Sequence, residues 1–176
     1  RFTYEEVQEI LHGKVGDFVL ELNHLNDIAK HTRKERLRNG AIDFESDEVR
    51  FKLDEAGLPK ELFVKQRLDA HMLIEEFMLL ANKTVAEHIG NVPKGKKAKT
   101  FVYRIHDEPN QEKLANFSLF IKRFGYKLKT TGKKKDIANS LNHLLDEVTG
   151  KKEQNLIETL AVRSMAKAIY STKNIG

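Results

Sequence analysis

The sequence predicts an α+β fold, mainly helical, with a small antiparallel meander and one further strand. Three observations carry that reading. Apolar residues recur at helical spacing through five long segments, the spacing shifts toward strand-like alternation only between residues 41 and 66, and Gly, Pro or Asn punctuates nearly every change. No internal repeat is present.

The first helix is expected at about 3–12. Thr3 followed by Glu6 has the capping-box form, Val7, Ile10 and Leu11 keep helical spacing, and His12-Gly13-Lys14 ends it. From about Asp17 to Arg38, Val19, Leu20, Leu22, Leu25, Ile28 and Ala29 mark a long amphipathic helix whose basic end suits the helix dipole. Beyond Gly40, three short strand-like pieces follow: Ala41, Ile42 and Phe44; Val49, Phe51 and Leu53; Leu62, Phe63 and Val64. Ser46-Asp47 and Ala56-Gly57-Leu58-Pro59 separate them.

A helix from Asp69 to Ile89 places Ile74, Phe77, Met78, Ala81, Val85 and Ile89 on one stripe, and Gly90 to Pro93 terminates it. Phe101 to Ile105 reads as a buried strand in need of a partner. A turn at His106 to Pro109 leads to a helix at about 110–124. Two more helices, Ile137 to Val148 and Gln154 to Tyr170, complete the chain.

The 176 residues include no cysteine, which removes disulfides, zinc–thiolate sites, iron–sulfur ligation and thiol nucleophiles together. No apolar run approaches a membrane span, and the first residues lack a signal-peptide core, so a cytoplasmic chain without membrane association is expected. The missing initiator Met and the abrupt end at Asn174-Ile175-Gly176 set the expectation of an internal piece, one partial domain over 1–176.

Charge is unevenly spread. Residues 1–90 carry 13 basic and 18 acidic side chains, residues 91–135 carry 13 and 3, and residues 136–176 carry 5 of each. The basic middle includes Lys94, Lys96, Lys97 and Lys99, then Lys122, Arg123, Lys127 and Lys129, then Lys133, Lys134 and Lys135. Such clustering either attracts a polyanion or marks solvated loops.

Catalytic constellations are scarce. No Gly-rich phosphate loop, His-Glu-x-x-His or Gly-x-Ser-x-Gly is present, and no metal-ligand spacing emerges among the seven histidines, His24 and His31 included. The unusual stretch is Leu73 to Asn82, where Glu75, Glu76 and Asn82 interrupt the most apolar helix. Glu75 and Asn82 stand two turns apart on one face. A carboxylate beside an amide there could accept a ribose hydroxyl, or Glu75 could pair with a neighbouring Arg or Lys.

Asp69-Ala-His71-Met-Leu-Ile-Glu75-Glu76-Phe77-Met78-Leu-Leu-Ala81-Asn82 resembles the acidic helix in the catalytic domain of the ribonuclease II and ribonuclease R family of 3′-to-5′ exoribonucleases. Tyr103-Arg104-Ile105-His106-Asp107-Glu108-Pro109 is similar to a second family motif, and Arg163 to Tyr170 looks like a late helix of the same domain. The form of these later matches favours the ribonuclease R branch.

The resemblance implies an enzyme that threads single-stranded RNA into a channel and releases nucleoside 5′-monophosphates, using Mg2+ held by aspartates. Those aspartates, and the family's arginine motif T-S-P-I-R-R-Y, are not in these residues, so the resemblance implies a piece without catalytic or metal-binding residues and without activity of its own. RNA-contacting positions are carried over as Tyr4, near the scissile end; Glu75, which with Tyr4 reads ribose against deoxyribose; and Phe44, which stacks on bases. Asn82 joins them from its place on the Glu75 face. A structural role remains open for each: packing at a helix start for Tyr4, a meander core for Phe44, an ion pair for Glu75. No protein partner is implied. The alternative function is a non-catalytic RNA-binding or interaction module using the basic segment 91–135.

Overall fold

The computed structural model describes residues 1–44, 48–93, 95–97, 99–106 and 108–173, apart from the side chain of Glu48. Ser46-Asp47, Lys94, Asp107 and the terminal Asn174 to Gly176, all named above, lie outside the described residues. The described elements are α1 (Tyr4–Leu11), α2 (Val19–Arg38), β1 (Glu48–Leu53), β2 (Pro59–Lys65), α3 (Asp69–Gly90), β3 (Tyr103–Ile105), α4 (Gln111–Lys122), α5 (Lys134–Val148), α6 (Gln154–Ser164) and β4 (Ile169–Ser171). The α+β class expected from the sequence is the observed one.

The chain divides into two compact units. Arg1–Glu35 with Glu45–Glu76 forms the first, and Arg36–Phe44 with Phe77–Gly176 the second.

In the first unit, α1 begins as its sequence dictates. Thr3 Oγ1 accepts from Glu6 N–H at 3.2 Å while Thr3 N–H donates to the Glu6 carboxylate at 2.6 Å, so two backbone donors are satisfied reciprocally. Those bonds, the backbone one first, hold the Glu6 carboxyl below its ordinary value. The buried face of α3 here is Ala70, Leu73 and Glu76, and that of α2 is Asn26 and Ala29.

This corrects the expected stripe on α3. Ile74 and Met78, placed in the core by periodicity, are exposed. The helix is apolar around much of its circumference, so spacing alone cannot choose its buried side. Small residues do: Ala29 and Ala70, 3% and 2% exposed, can pack with little intervening bulk.

Strands β1 and β2 form an antiparallel hairpin, with Val49 opposite Val64 and Phe51 opposite Leu62. Asp54 Oδ1 accepts from Ala56 N–H and Leu58 N–H at 2.9 and 2.8 Å, and Gly57 supplies the left-handed φ of 79° that closes the turn. The expected three-piece meander is therefore a two-stranded hairpin.

The missing third piece belongs to the second unit. Asn142 of α5 accepts from Asp43 N–H through Oδ1 and donates through Nδ2 to Ala41 O, both at 2.9 Å. One side-chain amide thus replaces a strand partner for residues 41–43. Gly40 precedes this segment with the left-handed φ of 98°, which a side chain would strain.

The second unit's core comes from three helices: Leu114, Phe117 and Ile121 of α4; Ile137, Leu141, Leu144, Leu145 and Val148 of α5; Ile157 and Ala161 of α6, joined by Tyr126. Their i, i+3, i+4 spacing builds one continuous apolar seam. The Tyr126 hydroxyl donates to Glu153 at 2.7 Å and accepts from Lys151 Nζ at 3.0 Å, which satisfies a buried phenol at the core's edge. The hydroxyl also holds the Glu153 carboxyl below and the Lys151 ammonium above their ordinary values.

Helix α6 stops at Ser164, short of the expected Tyr170. Ser164 Oγ donates back to Ala161 O at 2.7 Å, and Met165 turns extended at φ −76°, ψ 152°. Residues 169–171 then pair antiparallel with β3, Ile105 opposite Ile169 and Tyr103 opposite Ser171. The strand that lacked a partner in sequence finds it at the chain's far end.

Candidate nucleic-acid interface

Candidate RNA-contacting residues occur in both units. In the first, the capping box places Tyr4 as the opening residue of α1. Its ring, partly exposed, stacks on His71 with centroids 4.2 Å apart and planes inclined by 22°. His71 Nδ1 accepts from Leu68 N–H at 3.1 Å. Burial first, then the Lys65 charge, pushes the His71 imidazole below its ordinary pKa, with Glu5 opposing. A neutral ring suits an acceptor at Nδ1.

Glu75 lies four residues after His71, one turn further along the same face of α3. Its Oε2 receives Arg67 Nη2 at 2.7 Å, and the two side chains are 42% and 32% exposed. The ion-pair reading of Glu75 is thus realised, yet the carboxylate stays open to solvent. The sequence's partly buried acid is instead Glu76, 1% exposed and 3.8 Å from Arg33 Nη1. Glu76 faces α2 and Glu75 does not, because adjacent helical residues diverge by 100°.

The start of α3 is tied to α1 and α2. Gln8 Oε1 accepts from Ala70 N–H at 3.0 Å, and Lys30 pairs with Asp69 at 2.9 Å. Tyr4 borders a cavity of about 600 Å³ with Arg1, Phe2, Leu22, Leu73 and Ile74. That volume accommodates a nucleoside-sized group.

In the second unit, Phe44 is half-buried against the three-helix core beside Ile42 and Met165. It also lines a cavity of about 950 Å³ whose wall includes Arg36, His106, Lys133, Lys134 and Lys167. Lys134 pairs with Glu108 at 3.3 Å. Lys133 caps α5 and Lys134 and Lys135 form its first turn, so the expected loop at 131–135 is partly a helix start. Positive charge there opposes the helix dipole. Asn82 is exposed on α3.

Tyr4 and Glu75 are therefore brought to one helix face in the first unit through His71, while Phe44 and Asn82 belong to the second. Neither His71 nor Arg67 stands among the site residues that the sequence suggests. Their signal was position: His71 is one turn before Glu75 on α3, and Arg67 lies just ahead of that helix. Among the described residues, no group of three or more His, Asp or Glu is placed to hold a metal ion, and no helix is long and apolar enough to cross a membrane.

The RNB domain model matches residues 1–176. Ribonuclease R of Thermotoga maritima is 35% identical over the whole chain, and that of Escherichia coli 34%. DIS3-like exonuclease 2 of Schizosaccharomyces pombe is 31% identical over 97% of the chain. The chain spans 25%, 22% and 19% of these relatives' lengths. Mycoplasma genitalium RNase R in complex with ribose methylated single-stranded RNA superposes with a TM-score of 0.83 at 24% identity, covering 99% of this chain and 27% of that one. Yeast Ssd1, a pseudonuclease, matches at 0.63 and 21% identity over 96% of this chain and 20% of its own. The chain belongs to the RNB domain family, among ribonuclease R-like sequences.

Proposed function

We propose that this chain is the central, substrate-contacting portion of an RNB domain in a longer exoribonuclease. That enzyme degrades single-stranded RNA from its 3′ end to nucleoside 5′-monophosphates. The observation that supports this most is the open Glu75 carboxylate, held by Arg67 one turn from the Tyr4–His71 stack. A ribose 2′-hydroxyl can donate to such an acceptor and a deoxyribose cannot. Phe44 at the edge of a basic-walled cavity offers a face for bases, and stacking is indifferent to base identity. Asn82, exposed on α3, is an amide available to sugar or phosphate.

Among the described residues, no group of three or more His, Asp or Glu is placed to hold Mg2+. We place its ligands in the longer protein. Hydrolysis by the 176 residues alone is then not expected. Incubating the chain with end-labelled single-stranded RNA and Mg2+ should yield no mononucleotides, and their processive release would overturn the inactivity of these residues alone. In the intact protein, Glu75→Ala should narrow the preference for a 3′-terminal ribose over a deoxyribose; unchanged preference would remove Glu75 from the site.

A second reading, non-catalytic RNA binding, draws on Lys133 and Lys134 at the cavity wall. It predicts salt-sensitive binding by the chain alone, lost when Lys133, Lys134 and Lys135 are neutralised.

A further inference from the structure

The residue that joins Tyr4 to Glu75 has a geometry of its own. His71 is the third residue of α3, and Leu68 immediately precedes the helix. At this position a Glu or Gln commonly reaches back to the backbone N–H before the helix. Here the imidazole does so, with Leu68 N–H donating to Nδ1. Acceptance at Nδ1 assigns the neutral ring's proton to Nε2. The ring is thereby fixed by its own backbone and by one hydrogen bond, and its face is left for Tyr4.

Tyr4 has no comparable anchor. The Thr3–Glu6 box fixes its backbone, but the residue is 43% exposed and its ring rests on the stack with His71. The seat of α1 on α3 is secured separately, by Gln8 Oε1 and Ala70 N–H. Removing the imidazole therefore frees the Tyr4 ring without undocking the helix that carries it.

We infer that His71 is a positioning residue for sugar recognition: held by Leu68 N–H, its ring sets the plane of Tyr4 one helical turn from the Glu75 carboxylate. This rests on the ribose-reading proposal above and assigns His71 no contact with the sugar. The role differs from packing in a testable way, because Gln at the third position can keep the helix-start bond while losing the ring.

The experiment uses the intact protein that carries this chain and single-stranded oligonucleotides ending in a 3′ ribose or a 3′ deoxyribose. The readout is the ratio of kcat/KM for the two, with melting temperature as a folding control. Tyr4→Ala and Glu75→Ala should each lower the ratio. His71→Gln should lower it about two- to tenfold, the scale of a lost aromatic stack, at unchanged melting temperature. His71→Phe, which retains a ring, should stay nearer to wild type than His71→Gln. A wild-type ratio in His71→Gln beside a lowered one in Tyr4→Ala would overturn the role of His71 alone. Equal loss on both substrates would reduce His71 to a structural residue and overturn it too. Unchanged ratios in Tyr4→Ala and Glu75→Ala would defeat the ribose-reading proposal, and this inference with it.

Discussion

Two adjacent carboxylates on α3 should respond to the same substitution with very different losses of stability. Glu76 is 1% exposed and faces Arg33, itself 14% exposed, at 3.8 Å. Truncating one member of a buried pair leaves the other charge without its compensation, at a cost of roughly 3–5 kcal/mol. The separation is long for a tight ion pair and Arg33 keeps some access to water, so the lower end applies, about 3 kcal/mol. Glu75 is 42% exposed and its partner Arg67 32%. Solvent screens that pair, and Glu75→Ala should cost less than about 1 kcal/mol. Urea denaturation followed by far-ultraviolet circular dichroism measures both, with the midpoint shifting and the slope preserved. The combined Arg33→Met, Glu76→Met variant should recover much of the loss, since neither charge then remains buried. Equal costs for Glu75→Ala and Glu76→Ala, or a neutral Glu76→Ala, would refute this division of roles.

Asn142→Leu should cost about 2 kcal/mol, because it strips partners from Asp43 N–H and Ala41 O at once; hydrogen exchange at residue 43 should accelerate. Leu141, fully buried in the three-helix core, should cost about 3–5 kcal/mol when cut to Ala, read as a lowered denaturation midpoint. His71 has a folded pKa below its unfolded one. The fold therefore prefers the neutral ring: its stabilising contribution is complete above the unfolded value of about 6.5 and is lost as pH falls through the lowered folded value. Stability curves of wild type and His71→Phe should diverge in their pH dependence only below that unfolded value, and parallel curves throughout would contradict the assignment.

Local signals were legible wherever one residue's neighbours decide its conformation. The Thr3–Glu6 box formed as written, and α3 ends at Gly90 as its punctuation implied. The helix expected from Ile137 to Val148 is also present as α5. Nothing local marked β4: three residues are too few for a period, and its partner β3 lies more than sixty residues earlier. Nor could spacing reveal that Asn142 would stand in for a strand beside Ala41 and Asp43, about a hundred residues away.

The family and the α+β class were determined by the sequence, because motifs, caps and helical periods are properties of short segments. The tertiary structure decided which acid of the Glu75-Glu76 pair is buried, which face of α3 packs, and that His71 and Arg67 frame Glu75. Burial, ion pairing and ring stacking depend on what a distant segment places opposite a side chain. That information is absent from any window of sequence containing the side chain alone.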